Sequence, residues 1–153
     1  MANREGSLQG VRIEEFKLAD YEAVSRLWRD AGPGVCARPT DELEGIKLRL
    51  TRDPDLFLLA RSGQRVIGAV IGGWDGWRGY VYHLVVDAEL RRRGVAGTLM
   101  DELESRLRDK GAIKAKCQIY TDNEHSLAFF RRRGYEIEEN LHPVGKWLTG
   151  WRP

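Results

Sequence analysis

Apolar residues follow two spacings along this chain, and the changeover between them marks a strand running into a helix. Val95, Leu99, Leu103 and Leu107 recur every four residues, with Asp101, Glu102, Arg106 and Arg108 elsewhere on the wheel. That spacing predicts an amphipathic helix with one buried face. Leu84-Val85-Val86 ahead of it reads as the end of a strand, joined to the helix by a short basic loop that contains Gly94. The first N–H groups of a helix lack intrahelical acceptors and sit at the positive end of its dipole, so the arrangement predicts an anion site. Gly94, Ala96 and Gly97 keep side chains clear of it, and Arg91, Arg92 and Arg93 draw anions towards it.

The rest of the pattern alternates strands with helices. Val11, Ile13 and Glu15 fit a first strand; Asp20 then caps a helix bearing Val24, Leu27 and Trp28, which ends before Gly32-Pro33-Gly34. Asp41 and Glu44 have capping-box spacing, predicting a second helix from Thr40 or Asp41 through Ile46 and Leu50 to Asp53-Pro54. Leu56 to Ala60, Val66 to Gly73 and Gly79 to Val86 read as three strands joined by hairpin-like turns at Ser62-Gly63 and Trp74 to Trp77. The helix from Val95 stops near Lys110-Gly111, and Ile113 to Tyr120 is a strand parallel to Gly79 to Val86, because a helical crossover joins them. Asn123 opens a last helix over Ser126 to Arg133, closed by Gly134; Tyr135 to Glu138 and Val144 to Leu148 read as a terminal pair of strands.

With 153 residues, 42% of them hydrophobic, the chain suits one domain, residues 11–153, behind a disordered tail at residues 1–10. A formal net charge of +2 argues for neither nucleic acid nor membrane as a partner. Two cysteines, Cys36 and Cys117, make no disulfide framework, and no apolar run is long enough to span a bilayer; a reduced, cytoplasmic location is expected. Cys117, flanked by strand-like sequence, reads as a small buried hydrophobe. No metal-ligand spacing is present. The loop lacks the three spaced glycines of a dinucleotide fingerprint and the Gly-Lys-Ser/Thr of a P-loop.

Arg91-x-x-Gly94-x-Ala96, set between strand and helix and followed by a parallel strand, Asn123, Phe129-Phe130 and Gly134-Tyr135, resembles the GNAT acetyltransferase superfamily. The run Val66 to Gly79, with Leu27-Trp28, Gly134-Tyr135-Glu136 and Gly145-Lys146, resembles its YpeA-type members. The resemblance implies a three-layer α/β (α+β) fold: a twisted mixed sheet of about seven strands flanked by about four helices, with splayed parallel strands forming an acetyl-CoA site. It implies acetyl-CoA as co-substrate, held by Leu84, Val85, Val86, the loop from Arg91, Arg92, Arg93 and Gly94 through Val95, Ala96, Gly97 and Thr98, and by Asn123 and Phe130. Pantetheine would pair like an added strand against Leu84 to Val86.

Acetyl transfer to an amine needs a neutral amine, a donor for the developing oxyanion and a proton for the thiolate. The resemblance assigns the donor to the backbone N–H of Leu84. Two family positions for acid and base hold Gln118 and Phe130 here, neither of which transfers a proton. Period-two alternation with Leu84 puts Tyr80 and Tyr82 on the acceptor side, either as ends of a water chain or as packing, and turns His83 the other way. The expected reaction is acetylation of a primary amine by direct attack in a ternary complex, by a monomer or homodimer. A second reading is an acyl-CoA-binding module with weak or lost catalysis.

Overall fold

The computed structural model describes residues 10–32, 35 and 38–152. They form two compact units, the first running through Gln118 and the second starting at Ile119. The tail expected at residues 1–10 lies outside the described residues except for Gly10, as do Pro33, Gly34 and Cys36.

The first unit is built on a mixed five-stranded sheet in the order β1-β2-β3-β4-β5. β1 (Val11–Glu15), β2 (Phe57–Ser62), β3 (Arg65–Trp74) and β4 (Gly79–Val86) are antiparallel neighbours, and β5 (Ala115–Cys117) joins β4 in parallel. α1 (Tyr21–Asp30) and α2 (Leu43–Arg52) cover one face. There Val24, Trp28 and Ile46 pack with Phe57, Leu59, Ala69 and Ile71 of the sheet, and Phe16 stacks on Phe57 at 4.1 Å between ring centroids. α3 (Val95–Asp109) covers the other face, with Leu99, Leu103 and Leu107 almost wholly removed from water. Each such leucine contributes about 1.5–3 kcal/mol of transfer free energy. Glycines receive them: a methyl at Gly68 would lie 3.1 Å from Leu99, one at Gly79 2.8 Å from Leu107, and one at Gly72 would run into Leu103. The four-residue leucine spacing of the helix therefore matches bare backbone on the sheet beneath it.

Two caps differ from expectation. Asp20 stands at the N-cap of α1, but its carboxylate accepts from the Lys17 N–H at 3.1 Å and pairs with Arg61 at 2.7 Å. Asp41 does not start α2, which begins at Leu43; it closes the 3-10 turn Pro39–Asp41 by accepting from the Arg38 N–H at 2.8 Å. Glu44 pairs with Lys47 instead of completing a capping box.

In the second unit, α4 (Glu124–Arg132) is capped by Asn123, whose side chain accepts from the Ser126 N–H at 3.1 Å. Gly134 in the left-handed region (φ +84°) ends it and lets the Tyr135 N–H return to the Phe130 carbonyl. The expected strands Tyr135 to Glu138 and Val144 to Leu148 do not form, which leaves five strands among the described residues where about seven were expected. Their alternation has no partner: Val144 is 92% exposed and Leu148 89%, and Pro143 and Gly145 between them withhold a donor and a side chain from any ladder. Among the described residues no helix is long and apolar enough to cross a membrane.

Candidate active site

β4 and the loop after it carry the candidate chemistry. Two residues of β4, His83 and Leu84, stand opposite the single Val70, because the ladder passes from Ala69↔Val85 to Ile71↔Tyr82. This is a β-bulge, and His83 takes up the extra residue with φ +50°. A bulge bends its strand, and β5 follows β4 only through Gly79↔Ala115, Tyr80↔Lys116 and Val81↔Cys117. The expected strand Ile113 to Tyr120 is thus cut to three residues, and Leu84, Val85 and Val86 lie beyond the last rung shared with β5. Backbone groups released from a ladder in this way need partners of another kind.

The bulge also overturns strict alternation. Tyr80 and Tyr82 share a face, their rings 6.0 Å apart, and Tyr82 lies under the Arg49 guanidinium of α2 at 5.2 Å. His83 does not turn away from them: its Nε2 is 2.9 Å from the Asp41 carboxylate and its ring 5.2 Å from Trp28 of α1. One residue inserted into a strand returns consecutive side chains to the same side. Burial alone would raise the Asp41 carboxyl, but the His83 hydrogen bond and charge outweigh it and hold the group below the ordinary carboxylate range. Burial pushes the Tyr82 phenol up despite nearby Arg49. Burial likewise pulls the Arg49 guanidinium down, and it pushes the Cys117 thiol up to about 11.

After β4, Asp87 caps the 3-10 turn Ala88–Leu90 by accepting from the Glu89 N–H at 3.0 Å, and it pairs with Arg65. Arg91 turns back to donate to the Val86 carbonyl at 3.4 Å. Arg92 (φ +60°) and Gly94 (φ +83°) then reverse the chain, and Gly94 is the N-cap of α3 with no side-chain capping bond. The helical ladder opens with the Thr98 N–H to the Gly94 carbonyl at 3.0 Å, so the N–H groups of Val95 and Ala96 come before its first rung. No acidic residue occupies the first turn, and Arg91, Arg92 and Arg93 precede it in the loop. Gly97 completes the turn without a side chain, and Thr98 Oγ1 is spent on the Gly94 carbonyl. The loop fits a diphosphate: it offers backbone donors, positive charge and neither a carboxylate nor a Cβ at the cap.

In the second unit Asn123 is committed to capping α4. Phe130, 7% exposed, packs edge-on between Phe129 at 5.3 Å and Tyr135 at 5.0 Å. Among the described residues no three His, Cys, Asp or Glu side chains gather as metal ligands.

Arg49, Asp41, His83 and Trp28 were not legible as site residues. One signal for Arg49 was available, since it stands three residues after Ile46 and so flanks the buried face of α2. Nothing in a strand-like run of Tyr, Val and His announces a bulge.

The acetyltransferase (GNAT) family model matches residues 21–135. Acetyltransferase SG1711 of Sodalis glossinidius (strain morsitans) is 34% identical over 139 residues, 90% of this chain and 96% of its own length. The crystal structure of Ard1 from Thermoplasma volcanium shares the fold with a TM-score of 0.74 at 23% identity, over 84% of each chain. So does the PaiA N-acetyltransferase of Thermoplasma acidophilum in complex with coenzyme A, with a TM-score of 0.74 at 18% identity over 84% of this chain and 91% of the other.

Proposed function

Since the chain belongs to the acetyltransferase (GNAT) family and is an N-acetyltransferase, we propose that it transfers acetyl from acetyl-CoA directly to a primary amine held in the same complex. The observation that carries this reading is that the β4–β5 ladder stops at Val81, two residues before the bulge at His83 and Leu84, on the strand that leads through the loop to the helix start at Gly94. Acetyl-CoA supplies an acyl group activated as a thioester. The amides from Arg92 to Gly97 would bind its diphosphate, with Arg91, Arg92 and Arg93 contributing charge, and the backbone of Leu84, Val85 and Val86 would pair with the pantetheine amides. The Leu84 N–H would hydrogen-bond the carbonyl oxygen as negative charge grows there, a role no side-chain substitution removes. Asn123 and Phe130 are carried over from the family resemblance alone.

Tyr80, Tyr82 and Arg49 would line the acceptor side. The raised Tyr82 phenol stays protonated at neutral pH, so it orients an amine or a water and does not serve as an anionic base. Phe130 donates no proton, and the thiolate, with a conjugate acid near pKa 8.5 on the cysteine scale, leaves with water as its proton source.

Gly94→Glu tests the site. It puts a carboxylate and a side chain at a left-handed cap, and calorimetry should show acetyl-CoA affinity reduced about 100-fold or more with the fold retained by circular dichroism. Unchanged affinity would remove the loop from the site. CoA release with a panel of primary amines, above the hydrolytic background, tests transfer itself.

A further inference from the structure

Arg49 carries a full positive charge into the acceptor wall without a carboxylate to meet it. One guanidinium nitrogen donates to the Gly72 carbonyl at 2.6 Å, the plane lies over Tyr82, and Nε is buried with no hydrogen-bond partner. None of the ion pairs among the described residues includes Arg49. The acidic groups that act most strongly on Arg49 and Tyr82 are Asp41, Asp53 and Asp75. Each is committed elsewhere: Asp41 to His83, Asp53 to Arg52 at 3.4 Å, and Asp75 to the N–H groups of Trp77 and Arg78. Arg52, the other nearby cation, is held by Asp53 and by the Trp74 carbonyl. A half-buried guanidinium with one neutral acceptor and an aromatic face still has terminal N–H groups with which to pair with a planar anion. Tyr82 is 41% exposed, so the ring beneath it is reachable from solvent.

We propose that Arg49 recognises a carboxylate carried by the acceptor amine, so that the substrate is an amino-acid-like amine and not a polycation. This rests on the acetyltransferase reading above. Tyr82 precedes Leu84 by two residues across the bulge at His83, at most about 7 Å of chain, which places the anion within a few bonds of the attacking nitrogen. The stacked Tyr80 and Tyr82 rings beside it suit an apolar or aromatic side chain on the same molecule. A polyamine would meet an unneutralised cation where it needs an acidic wall.

The test compares phenylalanine, phenylalaninamide and spermidine as acceptors for wild type, Arg49→Met and Arg49→Lys. Methionine keeps the packing over Tyr82 and removes the charge. Wild type should favour phenylalanine over its amide by about tenfold or more in kcat/KM; Arg49→Met should bring that ratio below about threefold by a loss that falls mainly on phenylalanine, and Arg49→Lys should restore part of it. Calorimetry with N-acetylphenylalanine and N-acetylphenylalaninamide, in the presence of CoA, reads the same preference without turnover. A protein that turns over no amine yet binds the carboxylate product through Arg49 would refute the transfer reading and keep the anion site. Equal binding of the two products, a preference for spermidine, or an equal loss on both acceptors in Arg49→Met would overturn the proposal and leave Arg49 as a strut between α2 and β3.

Discussion

The two faces of β3 and β4 are built to opposite specifications. Against α3, the backbone of Gly68, Gly72 and Gly79 meets the ends of Leu99, Leu103 and Leu107, with a methyl excluded at Gly72 and Gly79 and tight at Gly68, and the nearest side-chain atoms at each are apolar. On the face towards α2, one residue along from Gly72, Gly73 looks onto Tyr82 and Arg49, and beyond them His83 and Asp41 form a polar pair. The apolar face holds the sheet rigid, so that the other face can afford a bulge, a left-handed histidine and an uncompensated cation. Shape complementarity secures one side and electrostatics equips the other.

Neighbouring glycines give the largest contrast. Gly72→Ala drives a methyl into Leu103 and against Leu56, and chemical denaturation should show a loss of about 1–3 kcal/mol. Gly73→Ala meets Tyr82 Cε2 at 3.3 Å, Arg49 Nη2 at 3.4 Å and Tyr80 Cβ at 3.8 Å, side-chain atoms throughout. It should cost under about 0.5 kcal/mol in stability while raising the KM for the acceptor. Equal stability losses at both positions would erase the distinction between the faces.

A smaller effect is expected at Asp41. Asp41→Asn removes the charge from the pair with His83 and should cost about 1 kcal/mol at pH 7. A carboxyl held below its unfolded value stabilises the fold above that value, and the contribution disappears as pH falls through the folded pKa. Wild type and Asp41→Asn should therefore converge in stability as pH falls below about 4, the unfolded carboxyl's range, and a gap that widens there would reverse the sign.

The smallest effect sharpens the boundary between the ladder and the part of β4 beyond it. Cys117 sits opposite Val81 on the last rung of β4–β5, with its thiol pushed up to about 11. At pH 8 about one Cys117 thiol in a thousand is ionised, so in a Cys36→Ser variant Ellman's reagent should label it far more slowly in the native protein than in urea. Native-state labelling at the unfolded rate would show that the ladder's end is not dry.

Most of the scaffold could be read from residue spacing. Gly79–Val86 falls on the expected strand residue for residue, and the four-residue leucine spacing located α3, because a buried helix face and a flanked strand each impose a period on apolar side chains. The loop at Gly94 was legible for the same reason, since a glycine between those two periods has few other uses. Periodicity failed wherever geometry departs from it. The extra residue at His83 turned an expected outward side chain towards Asp41, and the Tyr135 to Glu138 and Val144 to Leu148 segments had alternation without a neighbouring strand. Arg49 escaped because a cation on the flank of an apolar helix face looks like any solvated charge until its carboxylates are found to be engaged elsewhere.

The contact between Gly72 and Leu103 also constrains descent. Shortening Leu103 to valine first opens a cavity of one methylene, about 1 kcal/mol, and enlarging Gly72 to alanine first forces an overlap of about 1–3 kcal/mol, whereas the two changes together conserve volume. A lineage moving from this pair to an alanine at 72 with a valine at 103 crosses a valley in fitness whichever step comes first, and the leucine step is the shallower crossing. Relatives that carry a side chain at the position of Gly72 should accordingly carry a smaller residue at that of Leu103, so that the two columns of an alignment vary as one.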